Sequence, residues 1–267
     1  MTITSGQLGE GTVGLMLREA SARAESEGSS LAVDAGTRGM QALSPEATMA
    51  APHSKVGLMA EDDVAPSKRR LTPRGAVTRD RIVQAAADLF YVKGVNSVTL
   101  DDVRAVSGTS KSQLYRHFAD KDELVHSVIE LRAQQILERD RQHLERMSSF
   151  RALERWSESI IRLNSLQDGA YGCALGSLVG ARAAQDSAAR NLLAEKFGEW
   201  EKLIAAGLRR MQENGKLKKE ADAAKLAVAV MSALQGSYLL AQMTRDVEPM
   251  RIAMDMALAH VKTYTVS

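Results

Sequence analysis

The stretch from Thr99 to Leu124, TLDDVRAVSGTSKSQLYRHFADKDEL, constrains the fold more than any other part of the chain. It reads as a short helix, a glycine turn, a second short helix and the start of a third. Thr99 stands at an N-cap, with Asp101 and Asp102 in the first turn, where carboxylates suit the positive end of the helix dipole. Leu100, Val103 and Val106 recur at helical spacing and predict one buried face. Gly108 falls at the C-terminal cap, where a positive φ is cheap only for glycine. Ser110 then caps a second helix over Lys111 to Phe118, with Leu114 and Phe118 turned inward. That leaves Lys111, Ser112, Gln113, Tyr115, Arg116 and His117 outside. Each of these can donate a hydrogen bond, two carry fixed positive charge and none is acidic. Such a helix, second in a helix-turn-helix, suits a DNA major groove.

The same residues carry a family resemblance. Ser110 to Phe118, followed by Asp120-Lys121-Asp122-Glu123-Leu124, resembles the recognition helix and next helix start of the tetracycline-repressor (TetR) family. The upstream pattern Thr78-Arg79-Asp80-Arg81-Ile82-Val83-Gln84-Ala85-Ala86, then Leu89-Phe90 and Gly94, fits the same family, so order and spacing match over about Thr78 to Ile129. A generic amphipathic hairpin needs neither the Tyr115/Phe118 pair nor the Asp120/Glu123 capping box. Two positions depart from the family's habit: Arg104, where a small residue is usual, and Ser112, where glycine is common. Both bear on operator preference.

The resemblance implies an all-α protein, with an N-terminal three-helix helix-turn-helix domain and a C-terminal helical body for effector binding and dimerisation. It assigns DNA contact to Thr99, Ser110, Lys111, Ser112, Gln113, Tyr115, Arg116, His117 and Lys121. By side-chain chemistry Lys111 and Gln113 are expected to read bases. Thr99, Ser110, Tyr115, His117 and Lys121 are expected to hold phosphates, and Arg116 suits either task. The implied partners are a palindromic double-stranded operator, a second copy of the chain and a small apolar or amphipathic ligand.

The chain of 267 residues has a net charge of +2, so basic character is local. Lys68, Arg69, Arg70, Arg74, Arg79 and Arg81 crowd the approach to the helix-turn-helix, with Asp80 the only acid among them. Residues 1–71 are rich in Gly, Ser, Ala, Thr and Glu, and their composition predicts disorder; later methionines at Met40, Met49 and Met59 also allow an overlong reading frame. No continuous apolar run suggests a bilayer span, and no secretory signal is evident, so the expected compartment is the cytoplasm. Residues 72–128 are expected to form the DNA-binding domain, with a first helix from about Thr78 to Lys93. Residues 129–267 are expected to form the body.

In the body, helical spacing predicts a helix over Ala152 to Leu163 with Leu153, Trp156, Ile160 and Leu163 inward. A short helix is expected from Cys173, a long one capped by Asp186 and stopped by Gly215, and a final pair over Ala221–Met243 and Pro249–Tyr264. By the resemblance, that last pair makes the dimer interface. The larger pocket candidates are Trp156, Ile160, Tyr171, Cys173, Leu175, Phe197, Trp200, Met231 and Tyr238, in a region that reads as poor in buried charge. No phosphate loop, dinucleotide fingerprint, nucleophile elbow or metal-ligand spacing occurs, which points away from an enzyme and from a metal or other cofactor. Two rival readings stay open: a thiol-based redox sensor through Cys173, and a ligand-free DNA-binding activator or architectural protein.

Overall fold

The computed structural model describes residues 72–266, apart from 167, 168, 170, 171 and 183. The expectation of disorder for 1–71 lies outside these residues, as do Lys68, Arg69 and Arg70. The described residues form helices α1 (Pro73–Lys93), α2 (Leu100–Ser107), α3 (Lys111–His117), α4 (Lys121–Leu144), α5 (Phe150–Ser165), α6 (Gly176–Arg182), α7 (Ser187–Glu213), α8 (Ala223–Thr244) and α9 (Glu248–Lys262). A 3₁₀ turn, Val95–Ser97, follows α1. The only β pairing among the described residues is an isolated antiparallel bridge between Leu217 and Thr265.

The first helix begins five residues before the Thr78 start that the family pattern suggested. Thr72 is its N-cap, accepting the Gly75 N–H at 3.2 Å, and Pro73 fills the first turn, where a missing N–H costs nothing. Gly94 closes it with φ 81°. Ile82, Ala86 and Phe90 of α1, Val98 after the turn, Val103 of α2, Leu114 of α3, Phe118 and Leu124 of α4 are all buried together. Each large apolar side chain in that set contributes about 1.5–3 kcal/mol by leaving water, which lets helices of seven and eight residues persist although neither would form alone.

Several facings differ from the sequence expectation. Val106 is 47% exposed, and Ser107 takes the buried position four residues after Val103. Ser107 tolerates burial because its hydroxyl lies 2.8 Å from that of Thr109 and bonds the Arg104 carbonyl. Leu163 is likewise exposed, with Asn164 buried in its place, its amide donating to the Ile160 carbonyl. Asp120 caps α4 as expected, but Glu123 completes the arrangement on the Ala119 N–H, one residue earlier than a reciprocal box would place it. The short helix starts at Gly176, not Cys173, because the Cys173 sulfur instead accepts the Gly176 N–H at 3.3 Å and shapes a turn.

Helix α4 runs unbroken from the helix-turn-helix into the body and ends at Leu144, short of the expected Met147. It lies alongside α7 in the same direction. His126 meets Asp186 near the two starts, and Arg210 donates to the Leu144 and Met147 carbonyls near the two ends. The far approach is very close, since a Cβ on Gly207 would fall 2.1 Å from the Met147 methyl. Asp222 caps α8, so that helix starts at Ala223 rather than Ala221. Arg245, with φ 55°, ends α8 and turns the chain into α9. The expectation that no run suits a bilayer span needs correction. Ala223–Thr244 is long and apolar enough to cross one, with a mean hydropathy of 1.4 over its best window. Its inner face packs on α7 and α9.

Candidate nucleic-acid interface and effector site

The recognition surface is built by two reciprocal capping boxes. Thr99 Oγ accepts the Asp102 N–H, while the Asp102 carboxylate takes the Thr99 N–H at 2.7 Å and its hydroxyl at 2.6 Å. Those bonds hold the Asp102 carboxyl below the usual carboxylate range. On α3 the Ser110 hydroxyl accepts the Gln113 N–H at 3.2 Å and the Gln113 amide oxygen accepts the Ser110 N–H at 2.8 Å. Gly108, at φ 61°, makes the turn between them.

The two boxes occupy polar groups that were expected to meet DNA: the hydroxyls of Thr99 and Ser110 and one end of the Gln113 side chain. Lys111, Ser112, Tyr115 and Arg116 stand exposed on the outer face of α3, with Tyr115 at 49%. The Ser112 hydroxyl lies 3.1 Å from that of Ser110. His117 is half-buried, and its Nδ1 is buried with no partner. Burial first, then Arg116 and Arg79, push its pKa below the ordinary histidine value, so at neutral pH it offers a neutral imidazole. Lys121 is also half-buried, its ammonium 6.0 Å from the centre of the Phe90 ring. Burial and Arg182 lower its pKa against the pull of Asp102.

Of the basic residues before the motif, Arg79 is structural. It bonds the Ser127 hydroxyl at 2.7 Å and lies over the Phe118 ring. Arg104, a departure from the family pattern, pairs with Asp101 at 3.0 Å, which gives it a local role on α2. Arg74 and Arg81 remain exposed on α1.

In the body, Trp156, Ile160, Cys173, Leu175, Trp200, Met231 and Tyr238 are buried, as the helical spacing predicted. Phe197 is partly buried and stacks on Trp200 with centroids 6.4 Å apart. Tyr171 lies outside the described residues. A cleft of about 370 Å³ opens between α4 and α7, lined by Glu130, Gln134, Glu138, Arg141, Lys196 and Glu199 among others, and none of the expected pocket residues borders it. Burial raises the Cys173 thiol above its usual range, which disfavours the thiolate.

The expectation of little buried charge is overturned. Asp140 of α4 is 1% exposed, with one oxygen 2.7 Å from Nε of Arg139. That carboxylate holds the Arg139 guanidinium charged against the opposing effect of burial. Tyr238 of α8 is buried, and burial drives its hydroxyl pKa well up. Sequence periodicity missed the pair because two adjacent charges on a helix read as a solvated edge.

A three-helix reader with a compact third helix whose outer face is donor-rich and free of acids defines a helix-turn-helix transcription regulator. Residues 82–128 match the family model for bacterial regulatory proteins of the tetR family, and residues 149–256 match that for the C-terminal domain of LmrA/YxaF-like transcriptional regulators. The chain belongs to the TetR family. Over 187 residues it is 28% identical to an HTH-type transcriptional regulator from the lacX 3′ region of Lactococcus lactis, covering 67% of this chain and 90% of that protein. The repressor BepR of Brucella suis is 36% identical over 61 residues, covering 23% of this chain and 29% of that one. A TetR regulatory protein from Rhodobacter sphaeroides superposes with a TM-score of 0.64 at 19% identity, covering 71% of this chain and all of that one. Proteins of this family are DNA-binding regulators and not enzymes.

Proposed function

We propose that the chain is a dimeric repressor released from a palindromic operator by a small, largely apolar ligand held in the helical body. The observation that carries the reading is the outer face of α3, where Lys111, Ser112, Tyr115 and Arg116 project from a helix fixed at its start by a reciprocal box. Lys111, Gln113 and Arg116 are assigned to base edges. Ser112, Tyr115, His117 and Lys121, with the capping hydroxyl of Ser110, are assigned to the backbone, whereas the Thr99 hydroxyl proton is taken up by Asp102. The repressor name of the Brucella relative supports the sign of the regulation.

Dimerisation is supported by the outer face of the last two helices. Val228, Leu239, Leu240 and Met243 of α8 and Ile252 and Met256 of α9 are large apolar side chains more than 45% exposed. Gly236 and Ala259 lie exposed among them, and small residues permit close helix approach. A second copy covering this surface would set two recognition helices about one turn of DNA apart, roughly 34–36 Å. On this reading residues 72–128 are the DNA-binding domain, 129–267 the effector and dimer domain, and the protein works in the cytoplasm with its operator. The burial of Cys173 gives the redox alternative no accessible thiolate to start from.

The test is to recover the DNA that the protein retains from its own genome and measure affinity by anisotropy while titrating hydrophobic compounds. Emission from Trp156 and Trp200 reports occupancy of the body. Quenching and operator release over one concentration range support the proposal. Release by a thiol oxidant alone, with no response to any apolar compound, would transfer it to Cys173.

A further inference from the structure

The charged residues of α2 are Asp101, Asp102 and Arg104. Asp102 is committed to the helix start, where its carboxylate accepts the N–H and the hydroxyl of Thr99. Asp101 and Arg104 have no such duty. They meet across one helical turn, with the Arg104 Nε–H donating to the Asp101 carboxylate at 3.0 Å, and their side chains are 76% and 41% exposed. The terminal nitrogens of Arg104, Nη1 and Nη2, have no partner among the described residues. An ion pair this open adds little to stability, and the packing of α2 rests on Val103 and Ser107 instead.

Placement gives the pair a use. In a helix-turn-helix the first helix crosses the DNA backbone while the second lies in the groove, and α2 is that first helix. A helical side chain leans toward the N-terminus of its own helix, so Arg104 reaches back over the first turn, where Thr99 and Asp101 stand. A bare Asp101 there would repel phosphate. Its bond to Nε cancels that charge, fixes one edge of the guanidinium and leaves Nη1 and Nη2 uncommitted, a planar fork that suits two phosphate oxygens. Resting on the reading that α3 enters the major groove, we infer that Arg104 grips a backbone phosphate from α2, with Asp101 as its positioning residue. The contact adds a sequence-blind anchor to the reader and falls at a position where the TetR pattern carries a small side chain.

The test is a charge cycle on the full chain: Arg104→Gln, Asp101→Asn and the double variant. Each is titrated by anisotropy, across a range of salt, against the recovered operator and a random duplex. Arg104→Gln is expected to weaken both duplexes alike, at least threefold at low salt, and to lower the slope of log affinity against log salt by about one unit for each bound protomer. The double variant should stay weaker than Asp101→Asn by the same factor. Replacing single operator phosphates by methylphosphonate should find one position in each half-site that weakens the wild-type chain and not Arg104→Gln. A double variant equal to Asp101→Asn would mean that Arg104 only cancels a carboxylate, and a loss confined to one base pair would mean that it reads a base; either result overturns the inference, as does an unchanged Arg104→Gln. Lys111→Ala separates this from the parent reading. Weakening there with no effect of Arg104→Gln refutes the Arg104 contact alone, whereas weakening by Arg104→Gln with no effect of Lys111→Ala refutes the assignment of α3 and leaves the contact standing.

Discussion

Gln113→Ala separates two jobs that the structure gives to one side chain. The Gln113 amide oxygen closes the box on the Ser110 N–H at 2.8 Å, at an exposed helix start. Losing an exposed capping bond costs about 0.5–1 kcal/mol. For a domain of this size that lowers the melting temperature by about 1–4 °C. A bidentate contact to adenine needs both the oxygen and the NH₂ of the amide, so reading a base requires the box to open. Discrimination at one base pair, about 1–3 kcal/mol for such a contact, is then reduced by the cap that is given up. The net expectation for Gln113→Ala is about 1–2 kcal/mol, or roughly 5- to 30-fold, lost at a single operator position. Gln113→Glu keeps an acceptor for the box and should leave the melting temperature nearly unchanged, while weakening all operators through its charge. The assay is anisotropy against a set of single-base operator variants, with thermal melts alongside. An equal loss on every variant would show that Gln113 acts on DNA only by holding α3 in place.

Lys121→Ala should weaken binding to all sequences alike and lower the slope of log affinity against log salt by about one unit, as removal of one phosphate contact does. If the proposed dimer forms through the exposed face of α8, Leu240→Glu or Met243→Glu should give a monomer in light scattering while far-ultraviolet circular dichroism stays helical. Because the His117 pKa lies below its value of about 6.5 in the unfolded chain, the unfolded state binds the proton first. Stability from that residue is therefore complete above pH 6.5 and lost as pH falls through and below it, and His117→Gln should flatten the acid side of the melting-temperature profile. A chain starting near Pro66 should fold and dimerise like the whole, whereas removing Arg74 and the basic residues before it should weaken DNA binding chiefly at low salt.

The helix-turn-helix was legible because its signals are local. Thr99, Gly108, Ser110 and Asp120 each fix a boundary through the hydrogen bonds of their own turn, and they occupy those positions in the structure. Facing was less legible. Val106 and Leu163 obey an i+3 spacing as well as Ser107 and Asn164 obey i+4, and hydrophobicity favoured the wrong choice. The structure resolves both in favour of a polar residue whose hydrogen bond is met inside its own turn or helix. The start of α1 was hidden by its cap, since Thr72 and Pro73 precede the family pattern that begins at Thr78. The Arg139–Asp140 pair was invisible for a different reason. Burial of charge depends on what packs over it, and Tyr238 of α8, which lies within electrostatic reach of both, is far away in sequence.

The contacts between the DNA-binding helices and the body show where a switch must draw its energy. Arg182 pairs with Asp122, His126 with Asp186, and the Tyr91 hydroxyl donates to the Gly172 carbonyl at 3.0 Å. Partly exposed ion pairs of this sort are worth about 0–1 kcal/mol each. Reversing a 1:99 population to 99:1 needs a ligand preference of about 5.5 kcal/mol between the two states. The clasps alone fall short of that, so on the proposed reading they set direction rather than driving force. Most of the driving force comes from the interior. Covering about 200 Å² of apolar surface in one state and not the other yields about 5 kcal/mol. Asp140 sits on α4, the same unbroken helix whose first turn carries Asp122 and Lys121. On the proposed reading, a ligand that packs against α4 bears on the helix that positions α3, and the clasps at its start are the contacts that would carry a shift of the body to the recognition helix.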